Sequence, residues 1–199
     1  MNKILLTALA AAPALAIATP AAAQSVTGVV NITGNVASKC IVATPGNPTG
    51  PATFGGTVAL GNLAQADGTL ATDLATRFNA VGNNTQLQYK IVCTSANTNV
   101  SVDADPILAS TGLAQAGYAN RVDYNAHVAV TLVGGAGAPL ANDSTAAAAT
   151  TANYSDRLAA AGTNIVVTAD TFRTPSLTDI LVADASYTGK ITIVVSPGA

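Results

Sequence analysis

From Gln24 the chain reads QSVTGVVNITGNVASKCIV. Val26, Gly28, Val30, Ile32, Gly34 and Val36 fill the even positions, and Ser25, Thr27, Asn31, Thr33 and Asn35 fill the odd ones, with Val29 the exception. Successive side chains of an extended strand point to opposite faces, so this period-2 stripe reads as a strand with one buried face. The phase runs on through Cys40 and Val42. No matching hairpin partner follows nearby. The stripe must therefore be buried either in a distant part of its own core or in a neighbouring molecule, and that choice restricts what the chain can fold into.

Residues 1–23 carry the pattern of a secretory signal peptide. Lys3 supplies a short positive start, an apolar run follows from Ile4, and Ala21 and Ala23 form a small-residue cleavage site. Pro13 and Pro20 interrupt the run, which argues against a transmembrane helix. No later stretch is long and apolar enough to span a bilayer. The expected mature chain starts near Gln24 and suits one domain, exported through the periplasm. Charged residues are only 9% of the sequence, the net charge is −2, and all ten acids are aspartates. The absence of a basic cluster argues against nucleic-acid binding. Plentiful apolar residues argue against disorder. Two cysteines, Cys40 and Cys93, in an exported chain are expected to form a disulfide, worth on the order of 4 kcal/mol through loop closure.

Further period-2 segments recur at 87–93, 100–104, 122–132 and 187–195, with a β-branched run at 165–168. In the last long segment Ile191, Ile193 and Val195 share one face, and Pro197 is expected to end the strand. Residues 43–56 and 133–138 read as Gly/Pro-rich loops, and 67–80 has room for a short helical turn with Asp67-Gly68 as a turn signal. The Ala-rich stretch 143–162 is open to a helical reading without caps. Many short strands joined by Gly/Pro loops indicate an all-β sandwich.

Little in the sequence carries chemistry. His127 is the sole histidine and falls on the polar phase of its segment, so it reads as a surface residue. Asp103 and Asp105 are expected at a strand end, in a turn, and Asp156 and Arg157 as solvated charges. No nucleophile elbow, phosphate loop or zinc-binding helix motif occurs. The expectation is therefore no enzyme, no catalytic or metal-ligating residue, no cofactor and no small-molecule substrate.

Taken in order, GVVNITGNVASKCIV, FGG at 54–56, YKIVC at 89–93 and YTGKITIVVS at 187–196 resemble the pilin subunits of chaperone–usher pili, in particular the spore coat protein U-like or archaic branch. The resemblance implies an incomplete immunoglobulin-like β-sandwich over residues 36–199, lacking its last strand, with residues 24–35 as an N-terminal donor-strand extension. It implies that Cys40 and Cys93 link the first strand to the second. It further implies that Val26, Gly28, Val30 and Ile32 insert into a groove lined by Ile191, Ile193 and Val195 of another copy. The implied partners are neighbouring copies or related pilins, a periplasmic chaperone and an outer-membrane usher. The implied role is a surface fimbria serving adhesion or biofilm formation. The alternative reading is a self-complemented, secreted Ig-like adhesin or surface-layer module, in which residues 25–36 fold back into their own sheet. A third, enzymatic reading would need a polar pocket around His127.

Overall fold

A computed structural model describes residues 28–43, 53–83 and 87–198. The expected signal peptide and Val26 lie outside these residues. The chain divides into two compact units, Met1–Asn35 and Val36–Ala199. In the first, residues 28–35 belong to no strand and are exposed, Val30 at 86% and Ile32 at 93%. The stripe expected to run on from Val36 through Cys40 and Val42 forms a strand only in its last part, the short β1 (Cys40–Val42). The N-terminal alternation thus exists in sequence without a described ladder to hold it, which is the condition under which an isolated strand does not persist.

Among the described residues the second unit is all-β apart from one helix. Its strands after β1 are β2 (Gln88–Tyr89), β3 (Ile91–Cys93), β4 (Thr98–Ala109), β5 (Tyr118–Ala119), β6 (Arg121–Leu132), β7 (Gly135–Ala136), β8 (Leu140–Asp143), β9 (Thr150–Tyr154), β10 (Ile165–Arg173), β11 (Ile180–Leu181) and β12 (Tyr187–Pro197). Pairings are antiparallel except β5 with β11. The long strands β4 and β6 pair only where Ile107 and Leu108 meet Val122 and Arg121. Beyond that corner they diverge. β4 carries β12 on one edge and β9 on the other, while β6 carries β10 and β8, and β10 carries β2.

Alternation places the core. Val122, Tyr124, Ala126, Val128 and Val130 of β6, Val100, Val102 and Ala104 of β4, and Ile165, Val167 and Ala169 of β10 are buried in one apolar cluster. The helix α1 (Leu74–Asn83) follows the Asp67–Gly68 turn. It seats Leu74 and Phe78, one helical turn apart, in the same cluster, with Phe78 6.3 Å from Phe172 between ring centres. Gly68 has φ of 85°, and a Cβ there would sit 2.7 Å from Ile180 Cγ2, so both conformation and space call for glycine.

Several expectations are corrected. Residues 143–162 are not helical: they supply β9, and β8 ends at Asp143, so the segment completes both layers. The ladder partners on β4 and β6 outweigh the helix propensity of alanine. Asp103 and Asp105 lie inside β4, where Asp105 pairs with Lys190 at 3.1 Å, not in a turn. Asp123 breaks the polar phase of β6. It is 2% exposed, and its Oδ1 lies 2.9 Å from Arg121 Nε, a charge compensation that makes its burial tolerable. Asp156 and Arg157 stay at the surface, as expected, and there Gly134 N–H donates to Asp156 and Arg157 Nε donates to Ser95 O.

Candidate functional site

The feature with the greatest chemical consequence is an unfilled space beside an open sheet edge. β12 pairs with β4 on one side in a continuous register from Lys190↔Asp105 to Pro197↔Thr98. Its other side has no ladder partner among the described residues. Gly198 N–H donates to Asn97 O at 2.9 Å, continuing that register by one step. Antiparallel pairs alternate between bonded and non-bonded, so the even residues of β12 bond to β4. The N–H and C=O groups of Ile191, Ile193 and Val195 therefore face the open edge. Their side chains point toward the core yet stay only partly buried. Backbone hydrogen-bonding groups without a ladder partner among the described residues and only partly covered apolar side chains thus lie along one line.

Next to that edge lies a cavity of about 940 Å³. Ile191 and Ile193 form one wall. The segment 54–64 forms the opposite wall, with Phe54, Val58 and Leu60 half-buried at alternating positions and no ladder of its own. Leu87, Tyr89, Val167 and the aromatic group Phe78, Tyr124 and Phe172 make the floor. Tyr124 and Phe172 stack at 5.5 Å, and Phe54 meets Tyr89 at 4.7 Å. Val195 does not line this cavity. It lines a smaller one of about 20 Å³ with Cys40, Ile41, Val42, Phe54 and Ile91. Phe54 borders both.

Two devices hold the β12 wall. The Tyr124 hydroxyl donates to Asp105 O at 2.9 Å and to Lys190 O at 3.1 Å, pinning β12 onto β4 from within the core. Burial, reinforced by Asp105, holds that phenol above its ordinary titration range, so it stays a donor. At the start of β12 the Asp184 carboxylate accepts from Ser186 N–H, from the Ser110 hydroxyl, and from the N–H groups of Thr111 and Gly112. These bonds, the Ser186 N–H foremost, hold Asp184 far below the usual carboxylate range. At the third residue of β12, a Cβ on Gly189 would lie 2.7 Å from Ile107 Cγ1, so glycine lets β12 close onto β4 at the irregular step between Thr188 and Lys190.

The disulfide joins Cys40 to Cys93, directly opposite each other on β1 and β3. It ties β1 to β3, and Cys40 lines the small cavity together with Val195. Gly28, Val30 and Ile32 lie in the first unit and are exposed. Sequence reasoning missed two buried asparagines. Asn164 Oδ1 accepts from Ile91 N–H, and its Nδ2 donates to Ile91 O and Ala159 O. Asn142 links Ala104 N–H to Ala148 O and Thr150. Neither position carries a local signal, because the strand N–H groups they satisfy, of Ile91 and Ala104, are 73 and 38 residues away.

His127 does not line the cavity. Its Nε2 lies 3.0 Å from Asp170 Oδ1 on the neighbouring strand. Among the described residues no group of three or more histidine, cysteine or acidic side chains is placed to hold a metal ion. Comparison with protein-family models, with curated proteins and with solved structures returned no match.

Proposed function

We propose that this chain is a structural subunit of a surface pilus or fimbria that polymerises by strand donation, residues 24–35 of one copy filling the groove of the next. The domain is then an incomplete Ig-like sandwich of pilin type. The observation that carries this reading is the combination on β12 of an unpaired, regular edge with an unfilled cavity at its side, into which Ile191, Ile193 and the aromatic group Phe78, Tyr124 and Phe172 face. A strand inserted there satisfies the free groups of Ile191, Ile193 and Val195 and fills the cavity with alternate side chains, the mode of β-strand addition. The stripe of Val26, Gly28, Val30 and Ile32 has that form. Before assembly the groove needs a temporary occupant, the role assigned to a periplasmic chaperone, with an outer-membrane usher carrying the polymer out. Adhesion or biofilm formation is the use such a fibre would serve.

The self-complemented reading calls for residues 25–36 in a ladder of the same chain, and residues 28–35 are in none. The test is gel electrophoresis in SDS of protein sheared from the cell surface, unboiled against boiled. A strand buried along a whole edge leaves slowly, so strand-linked copies should run as a ladder that collapses on boiling. A single monomer band in both lanes overturns the reading.

A further inference from the structure

Three strands of the second unit have backbone groups satisfied by an asparagine side chain instead of by another strand. A carboxamide carries one acceptor and one donor group side by side, the pair that a strand residue offers to its neighbour, so it can stand in for one. Asn164 does so for Ile91, taking both its N–H and its C=O. Asn142 accepts from Ala104 N–H, two residues past the point where β9 leaves β4. Asn79, on α1, does so for Ala169 of β10: Ala169 N–H donates to its Oδ1 at 3.2 Å, and its Nδ2 donates to Ala169 O at 3.2 Å. Its neighbour Phe78 is seated in the core, so the apolar face of the helix sets this carboxamide against β10.

The position of the Asn79 cap gives it a consequence for the groove. β10 and β12 both border the large cavity, β10 through Val167 and Phe172 and β12 through Ile191 and Ile193. A strand entering the cavity therefore meets two edges. Val167 N–H donates to Leu87 O, so the odd residues of β10 turn their backbone groups away from β6. Along that side β2 pairs with Ile165 and Val166, Leu87 O takes Val167 N–H, and Asn79 takes both groups of Ala169. The next odd position is Thr171, a β-branched residue at φ 52°, where the register with β6 shifts between Asp170 and Arg173. A covering helix and a bulge are two of the ways in which a sheet edge is kept from pairing. We propose that Asn79 determines which edge accepts an added strand: its carboxamide fills the pairing position at Ala169, closes β10 and leaves β12 as the acceptor. This rests on the strand-donation reading and adds to it a determinant of specificity. A strand that paired with β10 would have to replace both Asn79 bonds and lift Leu74 and Phe78 from the core with the helix. Without the carboxamide, Ala169 presents a bare donor and acceptor and α1 loses this polar tie to β10.

The test uses the full-length chain with Asn79→Ala, and with Asn79→Asp as a second variant. The aspartate keeps the size and the bond from Ala169 N–H but sets a carboxylate against Ala169 O. It serves where the alanine variant does not fold. The first readout is amide hydrogen exchange followed by NMR. Ala169 N–H should exchange about tenfold faster in Asn79→Ala, while Val167 N–H, held by Leu87 O, keeps its parent rate. An unchanged Ala169 rate overturns the cap. The second readout locates the added strand. A synthetic 24–35 peptide carries a photo-cross-linking group in place of Val29, on the face turned from the cavity, and its adducts are mapped by mass spectrometry. In the parent they should fall on β12 alone, and in both variants on β12 and on residues 166–170 of β10. Adducts on β10 in the parent, or on β12 alone in the variants, overturn the role given to Asn79 and leave strand donation standing. A parent without adducts on either strand overturns strand donation and with it the edge choice, while the exchange rate of Ala169 still decides whether Asn79 caps β10.

Discussion

Val30→Asp is the sharpest single perturbation of the groove. Val30 is 86% exposed in the isolated chain, so nearly its whole side chain is available for burial on insertion. Full burial of a valine contributes about 1.5–3 kcal/mol. Aspartate forfeits that and places a carboxylate beside Ile191, Ile193 and an aromatic floor. Lys190, the one cation lining the cavity among the described residues, is already engaged by Asp105 at 3.1 Å. An uncompensated buried charge costs about 3–5 kcal/mol. The two effects together exceed ~4 kcal/mol, a loss of roughly a thousandfold or more in groove occupancy. Asn31→Asp, one residue along and on the opposite face, should be neutral. The assay is the unboiled SDS ladder of surface-sheared protein, with export followed by total protein in the periplasm and medium. Export should persist while the ladder vanishes for Val30→Asp and survives for Asn31→Asp. A normal ladder from Val30→Asp, or equal loss from both, refutes the alternating-insertion argument.

Removing the disulfide with Cys40→Ala and Cys93→Ala opens a link between residues 53 apart, which should lower unfolding free energy by about 4 kcal/mol. A loss below about 1 kcal/mol in denaturant melts would show that β1 is held without it. Asn164→Leu strands the N–H and C=O of Ile91 in the core and should destabilise by about 2–4 kcal/mol; a neutral result would mean that another group takes over those bonds. Asp184 is held low by Ser186 N–H and its companions, Asp143 by Thr145 N–H, and Asp170 by its bond to His127. A carboxylate with a depressed folded pKa lends stability above its unfolded value, here 3.8, and loses it as pH falls. Thermal stability should therefore start to drop below about pH 5 and keep falling below pH 3, and Asp184→Asn should flatten part of that slope. An unchanged profile in the variant would contradict the role given to Asp184.

The long strands were legible because their alternation is strong. Val122 to Leu132 and Tyr187 to Val195 each declare a buried face, and β6 and β12 lie where that pattern puts them. The strands within 140–154 were not legible. β8 and β9 are LAND and TTANY, too short and too polar to show a period, and their structure is imposed by β6 and β4 across the sequence. The N-terminal stripe shows the other limit. Alternation tells which side chains share a face but not what covers them, so residues 28–35 can read as a strand and still be exposed. The groove was half visible: Ile191 and Ile193 announced one wall, whereas the segment 54–64 forms the other without any regular strand. Asp123 misled because its neutralising partner, Arg121, sits two residues away on the same strand.

The unfilled space beside β12 has a thermodynamic consequence for anyone who purifies this protein. Whatever enters it binds the folded chain and not the unfolded one, and so raises stability with the logarithm of its concentration. A melting temperature measured on this domain is then a reading of its company: of how many copies, peptides or carrier proteins share the tube. Two preparations of identical sequence and purity can melt apart by many degrees, and a dilution series will show which of them was alone.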